Sequence, residues 1–525
     1  MEMSHNLSPL KSSFLASFWV VILALLFASK LSGQTVTIDG TASSYSGRKI
    51  ILFQTDDFIS RHRSVLASHE IPADGSFRFT AVLEQPRELI LAIGSMEAIL
   101  HAMPNGNYSV RFPSPPSDEF RRFDKTNVDL ELINPNPDDI NILIRLFNRD
   151  YTRFISDHYY QFAIEQFKGS ETYKVDQQQR EGSSDIFRGS NNTIDTSLIV
   201  IETDKFNYLV EAFTTEVNAK YGIYFSNTYF YDHVRYSIAE LELASGARRQ
   251  QLYREYLMSQ PAQPAHAAYI RFLELFYSGT ITDQKGELRD ELNKRINVEK
   301  NGDRIVELFS SDSLYLSTTV RTLAVVKGLS DAYYNPQFTQ SNIEQSLQQL
   351  SVAQTNPMLA SVALNTLTSL TKCRSDWKLE DFTLLDAENN RWTWSEHQGM
   401  YIYILFFADW CTSCKKDMQI METLRKKYSQ HIQFVAINMD ENTDRFITYI
   451  QEHRDQEAVI LYGGNDPVLR QLFNLKSIPH ALFITPSGTI MSDYTRRPGE
   501  GIQTEFEKIF KKASEQGSGT WRDKK

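Results

Sequence analysis

Trp410-Cys411-Thr412-Ser413-Cys414-Lys415 sets two of the chain's three cysteines two residues apart, directly after a tryptophan. Such a pair can ligate a metal, staple a loop or exchange electrons with other disulfides. A structural zinc site needs about four ligands, and the sequence holds no second Cys-x-x-Cys and no His-x-His pair. A bridge across so short a loop stabilises little. Redox exchange is the reading that the flanks support. Before the pair, Met400 to Phe407 is apolar, aromatic and β-branched, the pattern of a buried strand. After it, Met418, Met421, Leu424 and Tyr428 recur at helical spacing, which predicts an amphipathic helix from Lys415 to Tyr428. A helix N-terminus offers unpaired N–H groups and a partial positive charge. That favours the thiolate of Cys411, the form that attacks disulfides. Cys414, one turn inside, can then attack the mixed disulfide and release the substrate.

Further motifs lie at matching separations. They are Phe382-Thr-Leu-Leu-Asp386 with Asn389-Asn390, Phe406-Phe-Ala-Asp-Trp-Cys-Thr-Ser-Cys-Lys-Lys-Asp-Met418, and Lys476-Ser-Ile-Pro-His-Ala-Leu-Phe-Ile484 followed by Pro486-Ser-Gly488. Together they resemble the TlpA/ResA-like family of extracytoplasmic thioredoxin-fold thiol-disulfide oxidoreductases, over residues 377 to about 513. The resemblance implies a C-terminal α/β thioredoxin fold and a redox disulfide between Cys411 and Cys414. It also implies a cis proline at Pro479 lying against the sulfurs, with Trp410, Ile478 and Pro479 contacting substrate. Proline is the one residue whose cis bond costs little, and its missing N–H leaves the Ile478 backbone to pair with an extended chain. The implied partners are cysteine-bearing exported proteins and a membrane thiol electron donor, with no cofactor, metal or nucleic acid.

The departures from that family are specific. Ser413 stands where proline is usual between the cysteines, and Leu405 where thioredoxin itself buries an aspartate. Asp417 stands where the ResA-like branch carries an active-site glutamate. Three residues after Cys414 on the same helix face, Asp417 can take the proton of that thiol; the bland reading is an exposed first-turn carboxylate favoured by the helix dipole. His480 is unusual and reads as a surface histidine. Lys415 and Lys416 read as a solvated face. Cys373, between the last helix and the thioredoxin-like segment, reads as a small apolar residue outside the redox cycle.

The elements that must position this dithiol begin after a targeting segment. Lys11 precedes an uncharged apolar run from Phe14 to Ala28, and Leu31-Ser-Gly33 offers a cleavage point. The run is shorter than the roughly 20 residues that span a bilayer, so residues 1–33 are expected to be a cleaved signal peptide, with an uncleaved tether as the alternative. The chain is then exported, in the periplasmic setting. Removing Lys11, Lys30 and Glu2 takes the net charge from −10 to −11, which argues against nucleic acid and against a basic membrane-docking face. Three cysteines in 525 residues are not a disulfide scaffold, and 41% hydrophobic residues suffice for apolar cores.

The length calls for more than one domain, and the pattern predicts three. Residues 34–115 show short alternating runs (Thr35 to Ile38, Lys49 to Phe53, Phe77 to Phe79, Glu88 to Ala92, Tyr108 to Phe112) split by Asp74-Gly75 and Pro104-Asn-Gly106. They predict an N-terminal all-β sandwich. Pro113-Ser-Pro-Pro116 and Asn134-Pro-Asn-Pro-Asp138 mark a linker. From 138 to 372 the period becomes helical: Ile140, Leu143, Ile144, Phe147, Tyr151 and Phe154 follow an Asp138-Asp139 cap. Ser341 with Glu344 reads as a capping box, Pro357 as a helix start, and 169–192 as a polar loop. The aromatic run from Tyr221 to Tyr236 reads as core, or as a groove for extended peptide. Asp232-His233 has no serine to make a triad, His62 and His69 have no companion ligands, and Asn191 is a glycosylation acceptor only in a eukaryotic secretory setting. Residues 374–515 form the thioredoxin-like domain and 516–525 a polar tail.

Two functions compete. One is an exported thiol-disulfide oxidoreductase, in the reductase direction, acting through Cys411 and Cys414. The other is an extracytoplasmic binding or assembly protein whose thioredoxin domain is regulatory or vestigial. Joint retention of Cys411, Cys414 and Pro479 favours the first. A peroxidase does not use a Trp-Cys-x-x-Cys helix opening.

Overall fold

A computed structural model describes residues 34–115, 125–158, 203–454 and 456–515. The N-terminal leader, the polar loop at 169–192, Asn191 and the tail at 516–525 lie outside the described residues. Among the described residues no helix is long and apolar enough to cross a membrane.

The first region contains β1 (Thr35–Thr41), β2 (Lys49–Thr55), β3 (Arg63–Glu70), β4 (Ser76–Val82), β5 (Arg87–Ile93), β6 (Met96–Ala102), β7 (Asn107–Arg111), β8 (Thr126–Val128) and β9 (Glu131–Leu132). They form two sheets, ordered β4-β1-β7-β9 and β3-β2-β5-β6-β8. Alternation places Val36, Ile38, Ile50, Leu52, Leu89 and Leu91 in the core between them. The unbroken run Ile50-Ile-Leu-Phe53 has a different cause: both of its faces are covered, as in a central buried strand. Ile51 and Phe53 turn outward with Ile90 and Ala92, and Val468 of the C-terminal region packs on them. The segment expected to be a linker supplies β8, parallel to β6, and β9, antiparallel to β7. Backbone pairing to an existing edge makes these strands, and they are too short to carry a side-chain period.

The helical region contains α1 (Ile140–Asp157), α2 (Thr203–Tyr221), α3 (Thr228–Ala244), α4 (Arg249–Leu252), α5 (Ala267–Phe276), α6 (Gly286–Lys294), α7 (Gly302–Leu308), α8 (Thr318–Asp331), α9 (Gln340–Ala353) and α10 (Pro357–Thr371). Asp139 caps α1, accepting from Asn141 N at 2.8 Å, and Asn356 caps α10 ahead of Pro357. The expected capping box does not form. Thr339 is the residue before α9, so Ser341 lies inside the helix. Glu344 instead accepts the Tyr333 hydroxyl at 2.5 Å and Arg374 at 3.2 Å. Of the aromatic run, Tyr221, Tyr229, Phe230 and Tyr236 are buried in core. His233 contacts Asn148 at 2.8 Å and Asp232 accepts from Gln263, so those two neighbours are not a pair.

The third region contains β10 (Thr383–Leu385), β11 (Arg391–Thr393), β12 (Tyr401–Phe407), α11 (Thr412–Tyr428), β13 (Ile432–Asn438), α12 (Thr443–Glu452), β14 (Val459–Tyr462), α13 (Pro467–Leu472), β15 (His480–Ile484) and α14 (Gln503–Glu515). The sheet order is β11-β10-β14-β13-β12-β15. β12 runs parallel to β13 and antiparallel to β15. It is an interior strand with both faces apolar: Tyr403, Leu405 and Phe407 pack with Met418, Met421 and Phe506. Ile402, Ile404 and Phe406 pack on the other side with Trp394, Leu469 and Phe473. The chain leaving β12 must therefore emerge at the sheet's end, where α11 begins.

Candidate functional site: the dithiol at the start of α11

Cys411 is the N-cap of α11, and the helix starts at Thr412, three residues before its expected beginning. The Cys411 sulfur accepts the Cys414 N–H at 3.2 Å and lies 3.4 Å from the Ser413 hydroxyl. Both contacts stabilise negative charge on sulfur, in addition to the helix-end field. The two cysteines are joined as a disulfide with Cα atoms 5.2 Å apart. Cys411 is 7% exposed and Cys414 fully buried, so an incoming partner meets Cys411 first. Trp410 beside it is 39% exposed. Ser413 has a contact of its own that proline could not make, and Leu405 is fully buried in the apolar cluster that includes both sulfurs.

Asp417 is not the exposed carboxylate of the bland reading. It is 3% exposed. Its Oδ1 accepts the Gly499 N–H at 2.8 Å and its Oδ2 accepts Arg497 at 3.2 Å. Burial pushes its affinity for a proton up, against the opposing pull of Gly499 and Arg497. A Cβ on Gly499 would lie 2.7 Å from Asp417 Oδ1, so only glycine lets the backbone come this close. Arg497 also binds Glu500 at 2.7 Å, which holds that carboxyl down at about 2.

The Ile478–Pro479 bond is cis. Ile478 packs on the cluster containing the two sulfurs, and Pro479 precedes β15, which pairs with the end of β12 at Phe406. These three contacts bring Trp410, Cys411, Cys414, Ile478 and Pro479 to one end of the sheet. His480 is half-buried rather than a surface residue, its ring 6.1 Å from that of Phe406. Burial lowers its pKa. Lys415 is partnered, with Asp409 at 2.8 Å. Cys373 is half-buried, donates to the Leu472 carbonyl at 3.3 Å, and burial pushes its thiol up to about 12.

Some residues of the site carried no signal in the sequence. Asp440, 1% exposed, accepts the Asp409 N–H at 2.7 Å and the Asn438 amide at 2.8 Å. It thereby fixes the backbone two residues before Cys411. Arg497 and Gly499 reach Asp417 from some 80 residues away in sequence. No spacing rule links them to the dithiol. Among the described residues no group of His, Cys, Asp and Glu has the arrangement of a metal site.

Residues 399–490 match the family model described as thioredoxin-like. Over 138 residues the chain is 22% identical to the thiol-disulfide oxidoreductase ResA of Bacillus subtilis, covering 26% of this chain and 76% of that one. It is 24% identical over 112 residues to the thioredoxin-like protein YneN of the same organism, covering 21% and 65%. Among solved structures, a putative thiol-disulfide oxidoreductase from Bacteroides vulgatus is 28% identical, covering 26% of this chain and 96% of its own, with a TM-score of 0.24.

Proposed function

We propose that this chain, whose C-terminal region belongs to the thioredoxin-like family, is an extracytoplasmic thiol-disulfide oxidoreductase that reduces disulfides in other exported proteins. The observation that carries the reading is the Cys411 sulfur at the cap of α11, partly exposed, with Cys414 buried directly behind it. In the reduced form, the Cys411 thiolate attacks one sulfur of a substrate disulfide, and the displaced sulfur leaves as a thiolate that takes up a proton. Cys414 then loses its proton and attacks Cys411, forming the Cys411–Cys414 bond and releasing the second substrate thiol. Two electrons pass from the dithiol to the substrate. A thiol donor at the membrane, by the family resemblance, returns them.

Asp417 is assigned as acceptor of the Cys414 proton. Its place three residues on and its burial-raised proton affinity support this. Trp410, Ile478 and Pro479 are assigned to substrate contact: Trp410 adjoins Cys411 in the chain and is 39% exposed, and Ile478, joined to Pro479 by the cis bond, packs on the cluster holding the sulfurs. Export rests on the apolar run from Phe14 to Ala28.

Insulin reduction with dithiothreitol tests the activity, and a redox titration against glutathione tests the direction. A reductase should lie near thioredoxin's value of about −270 mV, and an oxidase near about −120 mV. A folded, exported protein that never turns over insulin and forms no adduct through Cys411 would sink the reading.

A further inference from the structure

The helical region meets the thioredoxin-like domain along a cleft of about 670 Å³ that reaches the proline loop. Ile478 and Pro479 line it on one side; Tyr334 and Lys372, from the helical region and the end of α10, line it on the other. Tyr494 and Arg497 continue the thioredoxin side. The cleft is tied to the dithiol at two points. Ile478 packs on the cluster holding both sulfurs, and Arg497 binds Asp417 one turn from Cys414. Resting on the oxidoreductase reading, we propose that this cleft is a second substrate subsite, where an extended, neutral or acidic segment flanking the substrate cysteine lies between the proline loop and the helical region.

Four observations select that occupant. The cleft is lined by Ile478 and Pro479, and Ile478 also packs on the cluster holding both sulfurs, so the proline loop is shared between the cleft and the dithiol. The β12–β15 ladder ends at His480, so Ile478 lies beyond the last pair, where an added strand can find backbone partners. Tyr334 is 76% and Tyr494 64% exposed, one from each domain. Tyrosine held out in a cleft offers rigid apolar contact, the property that enriches it at protein interfaces; the Tyr494 hydroxyl donates to Glu500 at 2.7 Å, which fixes that ring. Charge decides the last point. Asp493 is occupied by Arg374 at 2.6 Å and the Ser375 N–H at 2.7 Å, and Arg497 by Asp417 and Glu500. Among the described residues Lys372 has no ion-pair partner, which leaves the cleft's uncompensated charge positive and disfavours a basic segment.

The spacing of the walls is fixed. Arg374 reaches Tyr333, Glu344 and Gln340 in the helical region and Asp493 in the thioredoxin-like domain. The subsite is therefore present before substrate arrives, which lowers the ordering cost of binding.

The test uses the full-length Cys414→Ser protein and synthetic single-cysteine peptides activated with thionitrobenzoate. Attack by Cys411 forms the protein–peptide disulfide and releases the coloured thiolate. A benzophenone on either side of the peptide cysteine then maps what lies alongside. Cross-links from one side to the Tyr334 turn and the Leu370–Lys372 stretch are expected, stronger for an acidic flank than for a basic one. Cross-links confined to the thioredoxin-like domain, or equal for both charges, would overturn the subsite while leaving the oxidoreductase reading intact. No thionitrobenzoate release would overturn that reading and the subsite with it. Kinetics supply the second arm. Tyr334→Ala with Lys372→Glu should lower the ratio of kcat/KM for an acidic peptide disulfide to that for a small aromatic disulfide by about fivefold. A fall shared equally by both substrates would mark a purely structural role and count against the proposal.

Discussion

The thioredoxin-like domain meets its two upstream neighbours by opposite means. Against the β-sandwich the seam is closed: Val468 covers the apolar patch of Ile51, Phe53, Ile90 and Ala92. Glu441 accepts from Arg48 at 2.7 Å, Ser95 N at 3.1 Å, the Ser95 hydroxyl at 2.9 Å and Asn465 at 3.0 Å. Lys49 adds Asp466, and Gln471 donates to the Arg63 carbonyl. Against the helices one arginine, Arg374, spans the gap and a cleft stays open beside it. Glu441 follows Asp440, which holds the backbone before Cys411. The sandwich therefore braces the loop carrying Cys411, while the helices leave room beside the proline. Apolar burial with satisfied polar groups makes a rigid joint; a single charged pin sets a distance without filling the space.

The largest effect expected is chemical. Cys411→Ser should lower turnover by about 10³-fold or more, while both seams persist and circular dichroism is unchanged. Residual insulin reduction above that level would mean the seams serve some other centre.

Breaking each seam in turn tests the comparison itself. Glu441→Ala strands Arg48 and the Ser95 donors in a largely buried seam, and should cost about 2–3 kcal/mol. Arg374→Ala removes a pin whose cross-domain acceptor, Asp493, is half exposed, and should cost about 1 kcal/mol. Urea unfolding reads both. Hydrogen exchange should loosen residues 438–441 in the first variant and α10 in the second. Equal costs would erase the distinction between brace and pin.

A smaller effect concerns Asp417. Its folded-state pKa is raised above the ordinary carboxylate value of about 3.9. The folded protein therefore binds this proton more readily than the unfolded chain, and the contribution is lost as pH rises through the raised value. Asp417→Asn keeps an acceptor for Gly499 and should flatten stability against pH in that window. It should also slow release of the mixed disulfide if Asp417 receives the Cys414 proton. A wild-type slope retained in the variant would assign the titration elsewhere. The smallest effect is at Cys373, although it lines the cleft. With its thiol held up at about 12, Cys373→Ala should leave turnover within about twofold, and a larger loss would return it to the redox cycle.

The sequence alone determined the dithiol and the elements on either side of it. Those signals are local: a both-faces-apolar run makes a buried strand wherever it sits, and helical spacing makes an amphipathic helix. The sandwich strands with clear alternation were legible for the same reason. So were the cap at Asp139, whose side chain satisfies an N–H two residues on, and the helix start at Pro357. What tertiary structure decided is whatever depends on residues distant in sequence. β8 and β9 exist because edges of existing sheets accept them. Glu344 is not in its expected cap because α9 starts before Ser341, and its carboxylate binds Arg374 and the Tyr333 hydroxyl instead. Asp417 became buried because the Arg497–Gly499 turn closes over it, and His480 left the surface because β15 lies against Phe406. Asp440 owes its place to contacts within the third region, while Glu441 and the cleft at Pro479 owe theirs to regions meeting, and a contact between surfaces leaves no period in either sequence.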